Sequence, residues 1–289
     1  MAIDIKYFNS IQTAKILGVN VSTIKRWTDE GKLNCIRTAG GHRKFLLEHL
    51  SQYIQNRKTE SSEVNLFPIE DDNDLQVSYN IMRSNDETLI DYLIEQALNS
   101  RHDKVQKVLN GLYLSERPLY DIYDKIITPI MHRFGEMWHK DRLSIIEEHF
   151  GSQTIRDSLI RLQGIIRIPN EKIGSAICLN LSDELHDIAL KMVANILEVK
   201  GYQVYFSGHY TNTDKIDLAF EKFRPDQLYL SCTWVEDIQK TQQELDTLLR
   251  ISEMHNAEVY LGGQALYLLD LHHPSITKII DSFKELYDL

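Results

Sequence analysis

The chain has 289 residues, 43% of them hydrophobic, a net charge of −10 and three cysteines. That length holds two or three compact domains, and the apolar content excludes a wholly disordered chain, while no stretch approaches the roughly 20 apolar residues of a membrane span. MAIDIKYFNS is neither a signal nor a transit peptide, and Cys35, Cys178 and Cys232 are too few and scattered for a disulfide framework or a Cys-rich zinc site, so a reducing cytoplasm is expected.

The charge is unevenly spread. Residues 1–58 hold ten Lys/Arg and four Asp/Glu, a balance of +6, against −16 for the rest. This split predicts a small basic module on an acidic body that would not itself approach nucleic acid. NSIQTAKILGV (9–19) places Ile11, Ala14, Ile16 and Leu17 at helical spacing, with Asn9 or Ser10 as a cap and Gly18 as a stop. NVSTIKRWTDEGKL (20–33) repeats the pattern, with Ser22 as candidate cap, Ile24 and Trp27 inward and Gly31 at the end. Two short helices around a Gly-containing turn make a helix-turn-helix.

RTAGGHRKF (37–45) follows. Adjacent glycines allow the positive φ of a hairpin turn, and cations project from a small ribbon. A surface hairpin with no partner has the same composition, so the neighbourhood decides. FLLEHLSQYIQNR (45–57) closes the module as a third helix. Thr23, Lys25 and Arg26 then face outward toward a major groove, while Arg37, His42, Arg43 and Lys44 flank them and grip phosphates. One such module is small for tight binding of operator DNA, so a homo-oligomer, dimer or tetramer, is expected. STIKRWTDEGKLNCIRTAGGHRKF (22–45) resembles the MerR-like winged helix-turn-helix regulators, in particular their shorter excisionase-like branch. It departs from them in having no sustained heptad after Arg57.

KTESSEVNLFPIEDDND (58–74) is polar and acidic, and Pro68 interrupts it; residues 59–75 are expected to be a linker. Residues 76–170 read as a four-helix bundle with long amphipathic segments at 87–100, 103–114, 118–141 and 144–167. Pro129 marks a kink or a short break in the third. From 171 to 289 strands alternate with helices: SAICLNL (175–181), YQVYFSG (202–208), DQLYLSC (226–232) and EVYLGG (258–263), separated by helices at 184–200, 213–223 and 236–255. The fold class expected is therefore multidomain: a helical winged head, a four-helix bundle and a doubly wound, Rossmann-like or flavodoxin-like parallel-sheet domain. Ligands bind such sheets beyond the carboxyl ends of the strands, which directs attention to Ser182 to His186, Gly208 to Thr211, Ser231 to Trp234 and Gly262 to Ala265.

After the first strand, Glu184 and His186 stand two apart. A carboxylate that orients an imidazole leaves the other ring nitrogen for a metal. Acids at a helix N-terminus also complement the helix dipole with no ligand at all. No H-x-x-x-H or C-x-x-C completes a protein metal site, so any metal on His186 takes its other ligands from a macrocycle or from elsewhere in the fold.

A helical bundle followed by a doubly wound domain with this E-x-H resembles the cobalamin-binding module known from methionine synthase and from the CarH/LitR-type light-responsive regulators. The resemblance implies that His186 is the lower axial ligand to cobalt and Glu184 its carboxylate partner. It implies that the nucleotide tail passes Ser231, Thr233, Gly262 and Gly263. In the regulator branch a Trp is followed after nine residues by Glu-His; WHKDRLSIIEEH (138–149) supplies Trp138 to cover the upper face, with Glu148 and His149 near the same ligand. His139 is a nitrogen ligand adjacent to Trp138. The motif glycine is Ala189 here, and Trp234 follows "SCT" directly, where it could fill the tail pocket. The resemblance implies a non-enzymatic regulator whose adenosyl- or methylcobalamin controls oligomerisation and operator binding. A regulator with a degenerate, cobalamin-free sensor acting through protein partners, and a corrinoid carrier for methyl transfer, are the alternatives.

Overall fold

The computed structural model describes residues 7–17, 19–56, 72–181, 186–208, 213 and 215–289. The chain divides into two compact units, with the boundary in sequence between Ile165 and Ile166. The helix stop expected at Gly18 lies outside the described residues.

The head runs β1 (Phe8–Asn9), α1 (Ser10–Ile16), α2 (Val21–Asp29), β2 (Ile36–Arg37), β3 (Arg43–Phe45) and α3 (Leu47–Asn56). Asn9 caps α1: its Oδ1 accepts from the N–H groups of Ile11 and Gln12, and Gln12 Oε1 accepts from the Asn9 N–H in return. Ser22 does not cap α2; the N-cap position is Asn20, whose side chain makes no capping bond. Gly31, at φ +70°, ends α2 in a Schellman turn, with Lys32 N–H donating to Trp27 O and Gly31 N–H to Thr28 O. Trp27 and Tyr53 stack at 4.8 Å in a core with Ala14, Leu17, Ile24, Leu33, Phe45 and Leu50. Ile11 stays outside that core, 60% exposed. The three strands form an antiparallel sheet in the order β1-β3-β2.

The bundle comprises α4 (Asp72–Arg83), α5 (Asp86–Leu98), α6 (His102–Leu114), α7 (Leu119–Ile122), a π-helical turn (Tyr123–Ile127), α8 (Thr128–His139) and α9 (Ile145–Gln163). Helix α4 starts inside the stretch read as linker and packs on α5 and α6. Its fully buried Asp74 is paired with Lys104 and Lys107, which offset the cost of burying the charge. Pro129 follows the π turn directly, where the regular α-helical ladder is already interrupted. A Cβ on Gly151 of α9 would lie 2.9 Å from Leu98 and from Phe134, so glycine lets α9 approach α5 and α8 closely.

The second unit carries β4 (Gly174–Asn180), α10 (Ile188–Lys200), β5 (Tyr202–Phe206), α11 (Ile216–Phe223), β6 (Gln227–Ser231), α12 (Ile238–Met254), β7 (Glu258–Gly262), β8 (Ile276–Ile279) and α13 (Phe283–Asp288). The sheet is parallel throughout, in the order β5-β4-β6-β7-β8. Strand order thus reverses at β4/β6, the switch point beside which such folds bind ligands. Ile177, Leu179, Leu181, Leu228, Leu230, Val259 and Leu261 pack with Phe220, Leu245, Leu248 and Leu249 of α11 and α12 on one face. The alternate residues of these strands face α10.

Candidate DNA-reading surface and ligand site

On the head, Lys25 and Arg26 are exposed on α2 and Thr23 is half-buried. The hairpin turn needs only one positive φ, that of Gly41 (+77°); Thr38 N–H donates to His42 O and Gly41 N–H to Thr38 O, a three-residue loop with a bulge. His42 and Lys44 are exposed, and the Lys44 ammonium lies 5.0 Å from the centre of the Tyr7 ring.

The wing arginines are placed differently. Side chains alternate along β3, so Arg43 shares the inward face of Phe45 while Lys44 points away. The Arg43 side chain is only 15% exposed. Arg37 stands directly opposite Arg43 in the ladder. Asp29, the last residue of α2, joins them: Arg43 Nη2 donates to Asp29 Oδ1 and Oδ2 at 2.7 and 2.9 Å, and Arg37 Nη2 donates to Oδ1 at 2.6 Å. The guanidinium of Arg43, then that of Arg37, hold the Asp29 carboxyl below its usual range. Asp29 was not singled out from sequence, where it reads as one acid in a helix-ending TDEG.

At one end of the bundle, Trp138 lies in the last turn of α8, 41% exposed, its ring 4.7 Å from that of His139. The loop to α9 ends at Ser144, whose Oγ accepts from Glu147 N–H while Glu147 Oε2 accepts from Ser144 N–H. This box fixes the start of α9, and with it Glu148, half-buried, and the exposed His149, 3.7 Å from the Glu148 carboxylate. Ile145, Ile146 and Phe150 are exposed at the same end. So much bare apolar surface beside a tryptophan suits a ligand or partner better than water.

In the α/β unit, His186 is exposed in the approach to α10, and the buried Asp187 holds its N-cap position. Glu184 lies in 182–185, outside the described residues. Across the carboxyl ends of three strands the register aligns Asn180, Ser231 and Gly262 in one row. Register partners in a parallel sheet point to the same face, here the α10 face. Asn180 is fully buried; its Nδ2 reaches Gly208 O at 3.4 Å and its Oδ1 has no partner. Thr233 is half-buried just past this row. Gly263, at φ +114°, follows it; a Cβ there would meet Cys232 O at 2.3 Å, so only glycine closes β7 onto β6. Trp234 is 60% exposed, so its ring does not plug the row, and Ala189 is half-buried in the first turn of α10. A buried orphan acceptor, a hydroxyl and a side-chain-free position suit a polar ligand tail inserted at the switch point. Sequence reading missed Asn180, although an Asn inside AICLNL is visible as a polar residue in a buried strand. Among the described residues no group of three His, Cys, Asp or Glu side chains could hold a metal. None of their helices is long and apolar enough to cross a membrane.

Three family models match, in chain order: a helix-turn-helix domain over 7–58 and two B12 binding domain models, one over 79–163 and the other over 174–269. The chain is 24% identical to the HTH-type transcriptional repressor CarH of Myxococcus xanthus, over 87% of each chain. Its fold is similar to that of the monomethylamine corrinoid protein of Methanosarcina barkeri, with a TM-score of 0.57 at 14% identity, covering 70% of this chain and 96% of that one.

Proposed function

From a chain that is a CarH-like regulator with a cobalamin-binding module, we propose that operator binding by the head is controlled by cobalamin through a change of oligomeric state. The observation that carries the proposal is the joining, on one chain, of a helix-turn-helix domain to both parts of a B12 module. In this reading His186 would hold the cobalt with Glu184 as its partner, while Asn180, Ser231, Thr233, Gly262 and Gly263 would receive the nucleotide tail. Trp138, with Glu148 and His149, would lie against the bound group, and His139 would offer a further nitrogen donor. When bound, adenosylcobalamin supplies a metal–carbon bond that visible light breaks. The chain's contribution would be the exposed apolar end of the bundle, Trp138 with Ile145, Ile146 and Phe150, which a bound and an altered ligand would cover differently. A difference in contacts between states is what shifts a population, here of oligomers and so of DNA affinity.

The test mixes the apo-protein with adenosylcobalamin in the dark, then compares absorbance and molecular mass before and after illumination. Wild type takes up the corrinoid and changes mass with light. His186→Ala loses the His-ligated spectrum, and Trp138→Ala weakens the oligomer. Absence of uptake would sink the cobalamin reading and leave a cobalamin-free sensor. The corrinoid carrier reading has the similarity to the Methanosarcina barkeri protein in its favour; uptake with no effect on DNA binding would favour it.

A further inference from the structure

We propose that Asp29 is the positioning residue of the DNA-reading surface, and that Arg43 is a brace between wing and recognition helix rather than a phosphate contact. This rests on the reading that the head binds duplex DNA.

An acid in the last turn of a helix opposes the helix dipole, and like charges directly opposite in a β-ladder repel. Asp29 and the Arg37/Arg43 pair commit both offences, and each offsets the other. One carboxylate between two guanidinium groups satisfies the helix end and removes the cross-strand repulsion. The geometry ties the C-terminus of α2 to both β2 and β3, which the ladder already joins to each other. Helix and wing therefore meet DNA as one body.

The two arginines differ in what they keep in reserve. Arg43 points inward beside Phe45, is mostly buried, and donates to both oxygens of Asp29. Arg37 is about half exposed and gives one nitrogen to Oδ1, leaving other donors for a phosphate. Lys44, on the outward face of β3, is the wing cation best placed for the backbone.

The experiment uses the full chain with two probes, a duplex that the wild type selects from a randomised pool and sonicated bulk duplex DNA. Affinities are measured over a salt series. Each phosphate contact contributes about 0.9 to the slope of log K against log salt. Lys44→Ala should flatten the slope by about that amount. Arg43→Ala should lower affinity for the selected duplex roughly tenfold with its slope unchanged. Arg43→Lys keeps the charge but ends short of Asp29, so it should behave like Arg43→Ala. Asp29→Ala should do what mere destabilisation does not: tighten binding to bulk DNA and steepen its salt slope, because two arginines are released, while selectivity falls. The double variant Asp29→Ala/Arg43→Ala should be no less selective than Asp29→Ala alone, since the two act as a pair. A flattened slope in Arg43→Ala with rescue by Arg43→Lys would make Arg43 a phosphate contact and overturn the proposal. So would an Asp29→Ala protein with unchanged selectivity. If the wild type selects no duplex and ignores bulk DNA, the DNA-binding reading itself fails and takes the brace with it.

Discussion

The head and the α/β unit hold their polar groups in opposite ways. On the head, Asp29, Arg37 and Arg43 satisfy one another at the surface, as do Glu30 and Lys32 at 2.8 Å. An exposed pair such as Glu30 and Lys32 exchanges partners at small cost. At the carboxyl end of β4, Asn180 Oδ1 is sealed from water with nothing to accept from. An orphaned buried group costs about 1–3 kcal/mol until something supplies the missing bond. A cluster of paired charges is complete before it binds anything; a buried orphan acceptor carries a cost that an arriving donor would relieve.

The largest effect should come from the rigid side of this comparison. Gly263→Ala puts a methyl group against the Cys232 carbonyl at a φ that side chains rarely adopt. Clash and strain together should cost about 3–5 kcal/mol, read as a lower denaturant midpoint at unchanged m-value. A loss below about 1 kcal/mol would mean that the end of β7 is soft and the slot adjustable.

Asn180→Leu should have two effects of opposite sign. The apo-protein gains about 1 kcal/mol, because an unpaired acceptor is exchanged for an apolar group of similar shape. Cobalamin uptake weakens roughly tenfold, equivalent to about 1.4 kcal/mol. Unfolding of the apo-protein and titration with cobalamin read the two arms separately. A destabilised apo-protein would show that Asn180 is already satisfied without ligand, and the contrast between the two regions would collapse.

The smallest effect is expected from pH at the head. The Asp29 carboxyl is depressed below its ordinary 3.8, so its pairing contributes fully above that value and is lost as pH falls through the lower, folded-state value. Selectivity for the chosen duplex should therefore show no titration assignable to Asp29 between about pH 5 and 8. A carboxylate titration in that window, abolished in Asp29→Ala, would contradict the pairing.

What the sequence made legible was local. Gly31 after a helical stretch, the STIKRW pattern and the apolar strand runs are each specified within a few residues, and the structure has elements at those places. What it hid was pairing at a distance. Arg43 looks like one cation among four until β3 is seen to be three residues long, with Phe45 fixing which alternate side chains turn inward. The pairing of Phe8 with Phe45 joins residues far apart in the chain. Strand β8 has four residues, half of them exposed, too faint a pattern to separate from the loop before it. Asn180, by contrast, could have been found: a lone amide in a buried parallel strand is a polar group that needs a reason.

The π-helical turn at Tyr123–Ile127 has a consequence well beyond its own five residues. Thr128 N–H reaches back to Tyr123 O, one residue further than an α-helix allows. At 3.6 residues per turn, each extra residue rotates everything after it by about 100°; the wider i→i+5 loop absorbs that surplus. Ile130 and Phe134 therefore remain in phase with Leu119 and Ile122, all four buried. Trp138, four residues on from Phe134, inherits its compass bearing from the same wide turn. Deleting one residue within 123–127 would close the loop to an ordinary α-helix and leave that bearing intact. Tightening the turn at constant length would swing the indole about a quarter of the way around the helix.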